Sequence, residues 1–302
     1  MIKYLIKFFK LFFIPFILFF SIYYIIENFN ILYLHIKNIN IILFSLSLFI
    51  IFISIIYQYI IWHWITFKNK CQISFLKSIY SKSLSEFGKY IPGKIWGYGL
   101  LFMFYKKENK TIKEIVCCTY LEVIISILSA IIVFIFSFMF LKIKELTQIK
   151  FILILLLPLF FIIIHPKILQ FFINFILKKI KKEIIIIYIK YIDILLILFF
   201  YIILWLLFGL SLFFLFLSIE DISFHLFTYI SGAFALSSII GFMIIILPAG
   251  IGIREGIFIF LMKFISPYSL VLFISILFRL IFIFSEFLIT ILFYILIKRN
   301  KT

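Results

Sequence analysis

Leu247-Pro248-Ala249-Gly250-Ile251-Gly252-Ile253-Arg254-Glu255-Gly256 sets a proline, three glycines and an adjacent Arg-Glu pair inside one long hydrophobic tract. A charged side chain at the centre of a bilayer costs roughly 3 kcal/mol on insertion scales, so such a pair faces protein or a water-filled cavity. Pro248 has no N–H and the glycines relax the backbone, which predicts one helix ending at Leu247 and another starting near Arg254. Irregular backbone is tolerated at membrane depth only where protein packs it or where it lines a cavity. The stretch therefore reads as a broken helix with a site at the break.

The rest of the chain supplies the membrane setting. Two-thirds of the 302 residues are hydrophobic (66%), only 14% are charged, and apolar runs repeatedly exceed the ~18 residues that mark a candidate span. This predicts an all-α, polytopic helical membrane protein and excludes a soluble domain. The net charge of +17 would point to nucleic acid in a soluble protein. Here the Lys excess comes with the Ile, Phe, Asn and Tyr excess of AT-rich coding, and no nucleic-acid partner is expected. Cys71, Cys117 and Cys118 have no metal-like spacing with His35, His63, His165 or His225, so neither a disulfide, a metal nor a cofactor is expected.

Taken in order, the first span runs from Tyr4 to Ile26, too long and without the small-residue site of a cleaved signal peptide. Lys3, Lys7 and Lys10 put its start in the cytoplasm. A second span, Ile41 to Phe67, leaves through Trp62 and Trp64, and a third, Ile115 to Leu141, carries Glu122 about two turns in. A lone intramembrane carboxylate is a functional candidate, and a helix-to-helix hydrogen bond accounts for it nearly as well. A short fourth span, Phe151 to His165, leads to a Lys-rich segment suited to an anionic lipid surface. A fifth span, Ile194 to Ser218, ends at Glu220-Asp221, and the last, Leu270 to Ile297, ends at Lys298, Arg299 and Lys301. Arg279 and Glu286, seven apart in that helix, share a face and should point inward, with Glu255 or Glu122 pairing to Arg279.

Two segments remain. Residues 71–105 break at Pro92-Gly93-Lys94 before Ile95-Trp96-Gly97-Tyr98, and neither half reaches the roughly 20 apolar residues a crossing needs. Basic residues flank both ends, so a re-entrant helical hairpin opening to the cytoplasm is expected; a surface-lying amphipathic helix is the alternative. Residues 224–265, broken at the opening stretch, form its counterpart opening outside. About six full spans and two hairpins result, with both termini cytoplasmic. On that topology 22 of the 29 Lys and Arg residues lie inside, an asymmetry that coding bias does not produce. The halves divide as residues 1–141 and 142–302, one single transmembrane domain.

Interrupted segments in corresponding places of two oppositely oriented halves point to an inverted repeat and a transporter site where they meet. Pro92, Gly93, Gly97, Pro248, Gly250 and Gly252 are the candidate hinges. Lys94, Trp96, Tyr98, Glu122, Arg254, Glu255, Arg279 and Glu286 are the candidate substrate-binding residues. Two helix N-termini and three cations there would favour an anion such as a lipid phosphate.

Tyr90-Ile91-Pro92-Gly93-Lys94-Ile95-Trp96-Gly97, Leu121-Glu122, the Gly-Ile-Arg-Glu-Gly core ending at Gly256, and Arg279-Leu280 resemble the transmembrane region of lysylphosphatidylglycerol synthetases, a family that includes standalone flippase-like membrane proteins. The resemblance covers nearly the whole chain. It implies movement of a membrane phospholipid or polyprenyl-linked lipid, often an aminoacylated phospholipid or a polyprenyl-linked sugar, between leaflets of the cell membrane, in the biogenesis of envelope lipid or polysaccharide. The soluble aminoacyl-transferring domain of the full-length synthetases is not found after the membrane region, so lysyl transfer, and enzymatic activity generally, is not expected. Two other classes stay open: a membrane-embedded glycosyltransferase, for which only Glu220-Asp221 offers carboxylates at an outer boundary, and a non-transporting partner of an envelope-biosynthesis enzyme. Homo-oligomerisation also stays open.

Overall fold

Helix starts follow from local chemistry. The Asn40 side-chain oxygen accepts from the Ile42 and Leu43 amides at 3.0 and 3.3 Å. Thr111 and Glu114 cap each other reciprocally, at 2.8 Å from the Thr111 amide to the Glu114 carboxylate and 3.3 Å from the Glu114 amide to the Thr111 hydroxyl. Each cap satisfies amides that a first helical turn leaves without partners. The computed structural model describes residues 33, 39–90, 95–140, 158–179, 181, 183–244, 248–263 and 265–300. The expected span Tyr4 to Ile26, residues 151–157 of the expected span Phe151 to His165, and Pro92, Gly93 and Lys94 fall outside them.

All regular structure among the described residues is helical: α1 (Ile41–Lys68), α2 (Phe75–Glu86), α3 (Ile95–Lys107), α4 (Ile112–Met139), α5 (Pro166–Lys179), α6 (Tyr191–Leu217), α7 (Leu226–Met243), α8 (Ile253–Met262) and α9 (Tyr268–Arg299), with 3₁₀ turns at Phe87–Tyr90 and Pro248–Gly250. Five of these, α1, α4, α6, α7 and α9, are long and apolar enough to cross a membrane. The chain is thus a polytopic helical membrane protein. Four of the five match expected spans. The fifth, α7, was expected as the descending half of the second hairpin and has on its own the length of a short span.

Relative helix directions follow from cross-helix bonds. The Asn40 amide meets the Ser218 carbonyl at 2.7 Å, Ser47 and Ser211 each donate to the other's carbonyl at 2.7 Å, and Lys68 pairs with Asp193 at 2.7 Å. One number rises as the other falls, so α1 and α6 are antiparallel. Small side chains let the two backbones approach and the hydroxyls bond across, as at helix interfaces in lipid. Between α4 and α6 the numbers rise together: Tyr201 donates to Glu122 at 3.3 Å and the Trp205 indole to Ser129 at 3.1 Å. These directions are those the topology read from sequence requires.

Both broken segments fold back as hairpins. In the first, the Ser78 and Tyr105 hydroxyls lie 3.0 Å apart and the Trp62 indole donates to the Tyr105 hydroxyl at 2.9 Å. At the turn a Cβ on Gly88 would fall 2.1 Å from the Gly97 Cα, so only two glycines allow this approach. The second repeats the device. Tyr229 donates to the Leu261 carbonyl at 2.6 Å, and a Cβ on Gly250, at φ +67°, would fall 2.6 Å from the Gly241 oxygen. Each glycine pair is nine positions apart. Gly88→Ala is expected to lower stability by about 1–3 kcal/mol through overpacking, read as a lower thermal midpoint in detergent.

One expectation, and one of the alternatives, need correction. α7 ends at Met243, four residues before Leu247, and Ile244 is already extended (φ −82°, ψ 99°). The cause is Pro248, which lacks the N–H that would bond the Ile244 carbonyl and whose ring would clash with it. The next helix begins at Ile253, next to the predicted start at Arg254. Secondly, α2 is not a surface-lying amphipathic helix. Its polar side, Ser78, Ser81, Lys82 and Ser85, is buried in protein, while Phe75 on it is 47% exposed.

Candidate functional site

The turns of the two hairpins touch at the Phe87–Tyr90 and Pro248–Gly250 segments. Beside that contact α1, α2, α3, α4, α6, α7, α8 and α9 line a cavity of about 210 Å³. Lys82, Glu86 and Lys89 reach it from the first hairpin and its turn, Glu122 from α4, Arg254 from α8 and Arg279 from α9. Tyr98, Tyr201, Trp205, Phe234, Ser238 and Phe282 complete much of the wall. Phe242, which also lines the cavity, is 37% exposed.

Charges here are held in a chain. The Lys82 ammonium lies 2.8 Å from Glu122 and 2.9 Å from Glu86. Lys89 pairs with Glu86 at 3.4 Å and with Glu286, and the Tyr90 hydroxyl donates to Glu286 at 2.9 Å. Lys82, Glu122 and Glu286 are all more than nine-tenths buried. Such groups are tolerable only because each has a partner of opposite charge and further hydrogen bonds. The chain ties α4 to α9 through the first hairpin.

The second hairpin is wired differently. One carboxylate oxygen of Glu255 accepts from the Gly252 amide at 2.7 Å, and the other takes Arg279 at 2.5 Å. The expected pairing of Arg279 is therefore with Glu255. That pairing leaves the neighbouring Arg254 without a carboxylate: among the described residues it makes no ion pair, and its guanidinium rests on the rings of Phe234 and Phe282, 4.7 and 5.8 Å from their centroids. Gly241 makes room for it, since a Cβ there would stand 3.0 Å from the Arg254 Cβ. A cation held over two aromatic faces and turned to a cavity keeps its N–H groups available to an incoming anion.

The structure gathers Tyr98, Glu122, Arg254 and Arg279 on the cavity, with Glu255 and Glu286 behind them as salt-bridge partners. Trp96 is not gathered: it is 46% exposed and does not line the cavity. Of the hinge candidates, Gly97 and Gly250 stand at the close approaches, and Gly252, at φ +83°, takes a backbone conformation that glycine favours. Glu220 and Asp221 are exposed beyond the end of α6, away from the cavity. Sequence reading missed Lys82, Glu86, Lys89 and Tyr201. The first three recur at i, i+4 and i+7, one helical face, but a Lys-Glu-Lys face is ordinarily solvated. Tyr201→Phe is expected to cost about 1 kcal/mol by removing one hydrogen bond to Glu122, measured by thermal unfolding.

Fold and site together define a class: a helical membrane protein in which two hairpins meet at a charged cavity. The model of the family described as the lysylphosphatidylglycerol synthase TM region matches residues 8–290, and the chain belongs to that family. It is thereby a multi-pass membrane protein tied to lipid metabolism or envelope biosynthesis. None of the curated proteins compared with the chain matches it.

Proposed function

We propose that this protein is a flippase-like translocator that passes the phosphate-bearing headgroup of a membrane lipid between leaflets while the acyl tails stay in the bilayer. The observation that carries the reading is Arg254. Lys82, Lys89 and Arg279 each have a carboxylate, and Arg254 alone of the cavity's cations among the described residues has none. A phosphate oxygen is the partner its planar guanidinium fits best. Arg279, already shared with Glu255, stands ready as a second donor. The glycine pairs at both turns supply places where the backbone can move, and movement of the two hairpins in turn would open the cavity to one leaflet and then the other.

The same reading places the protein in the cell membrane with both termini in the cytoplasm. In support, α5 carries exposed Phe171, Phe172, Phe175 and Ile176 beside Lys167, Lys178 and Lys179, the composition of a helix lying on an anionic lipid surface. The size of the cavity favours a small headgroup: about 210 Å³ is below the ~300–1,000 Å³ of sites that enclose drug-sized ligands, so a phosphodiester headgroup fits better than an oligosaccharide on a polyprenyl carrier.

The test is leaflet transfer in liposomes reconstituted with the purified protein, read with a tail-labelled phospholipid and an impermeant quencher. Transfer above that of protein-free vesicles is expected. Transfer equal to theirs, with the protein folded and inserted, contradicts the proposal.

A further inference from the structure

We infer that α5 and the segment after it, residues 183–190, together form a docking site for anionic phospholipid, separate from the cavity and independent of what the cavity carries. Burial alternates residue by residue along this segment, as in an extended chain: Ile185, Ile187 and Ile189 are buried, while Ile184, Ile186 and Tyr188 are each more than half exposed. Side chains of α5 take the place of a neighbouring strand. The Ile185 amide donates to the Asn174 side-chain oxygen at 2.8 Å, the Asn174 side-chain nitrogen donates to the Ile185 carbonyl at 2.9 Å, and the Ile187 amide donates to Gln170 at 3.2 Å. On α5 itself Lys167, Phe171, Phe175 and Lys178 recur on one helical face and line a groove of about 360 Å³.

Whatever covers this surface must meet three demands at once. The outward side chains of both elements are apolar. In an extended chain the amides of Ile184, Ile186 and Tyr188 point to the edge opposite α5, and none of them has a hydrogen-bond partner among the described residues. Such an edge is too costly for the hydrocarbon core. Thirdly, residues 166–190 hold six lysines and one carboxylate, and that carboxylate, Glu183, is already paired with Lys113. Water serves the amides and lysines but not the isoleucines and phenylalanines. The boundary between headgroups and acyl chains in an anionic leaflet serves all three, with acyl chains against the apolar side chains and phosphate oxygens accepting from amides and ammoniums. The position agrees. Lys68 at the end of α1 pairs with Asp193 in the first turn of α6 at 2.7 Å, Lys113 lies in the first turn of α4, and the Lys70 ammonium stands 4.9 Å from the centroid of the Tyr188 ring. Three helices long and apolar enough to cross a membrane thus begin or end beside the segment, which puts it at a membrane boundary and favours lipid over a soluble partner.

The experiment places a fluorophore on Ile186→Cys, the three native cysteines being buried, and reconstitutes the full chain in phosphatidylcholine vesicles. These carry a small, equal amount of either phosphatidylglycerol or phosphatidylcholine bearing the same acyl-chain nitroxide. Quenching by the phosphatidylglycerol probe is expected to exceed that by the phosphatidylcholine probe about fivefold, the enrichment that one lysine near an anionic lipid supplies. The ratio should fall severalfold when Lys167→Gln, Lys178→Gln and Lys179→Gln are added, and a fluorophore on Phe284→Cys, on the exposed side of α9, should be quenched equally by both probes. Equal quenching of the Ile186→Cys fluorophore by the two probes, or quenching by neither, overturns the inference. Should the lysine variant not fold, the ratio at Ile186→Cys and its loss at high salt decide. None of these readings requires leaflet transfer, so a failure here is distinct from a failure of the translocation proposal.

Discussion

Arg254→Gln is expected to yield a protein that inserts, stays monodisperse and keeps its thermal midpoint to within a degree or two, yet transfers lipid between leaflets about 10–100-fold more slowly, the loss that follows from removing a charge-assisted hydrogen bond worth ~1.5–3 kcal/mol. The separation of effects is what the geometry predicts. Arg254 has no ion pair among the described residues, so its removal strands no carboxylate. Glu255 keeps both Arg279 and the Gly252 amide. If Arg254 instead stapled the second hairpin through Glu255, the variant would lose stability first, and a large drop in thermal midpoint with transfer scaling to the folded fraction would show it.

The second large effect concerns stability. Lys82→Met should destabilise the protein by about 3–5 kcal/mol, because it leaves buried Glu122 without its cation and Glu86 with Lys89 alone. Converting both carboxylates that Lys82 pairs with as well, in Lys82→Met with Glu86→Gln and Glu122→Gln, should recover much of that loss, since replacing a buried ionic group entirely costs far less than breaking it. Denaturation of the wild type and the two variants in one detergent measures both steps. Lys82→Met with wild-type stability would mean that the chain of charges from α4 to α9 does not hold the first hairpin.

Much of this architecture was legible in residues whose cost in a membrane is high. Pro248 and the glycines after it marked the break, Arg279 and Glu286 the inward face of α9, and Glu122 a buried position, because each is too expensive in lipid to be there without a partner. The partners were harder to read. Lys82, Glu86 and Lys89 lie on a helix too polar to look like core, and their burial depends on α4 and α9 closing over them, which no local pattern reports. The end of α7 was misplaced for the opposite reason: Ile244 to Leu247 are as apolar as any span, and the effect of Pro248 reaches back to the carbonyl four residues earlier. Trp96 looked like part of the break and lies on the outside, since membership in a motif does not fix which way a side chain faces.

The central claim, that the headgroup passes through the cavity between the hairpins, is tested most directly by blocking it. Ser238 lines the cavity, and its hydroxyl is buried with no hydrogen-bond partner among the described residues, whereas Phe284 on α9 is 51% exposed and lines no part of the cavity. The claim predicts that labelling Ser238→Cys with a bulky thiol reagent slows leaflet transfer by about tenfold or more, the equivalent of ~1.4 kcal/mol or above, while the same labelling leaves the wild type, with its three buried cysteines, and Phe284→Cys unchanged. Unaltered transfer by fully labelled Ser238→Cys protein would contradict it.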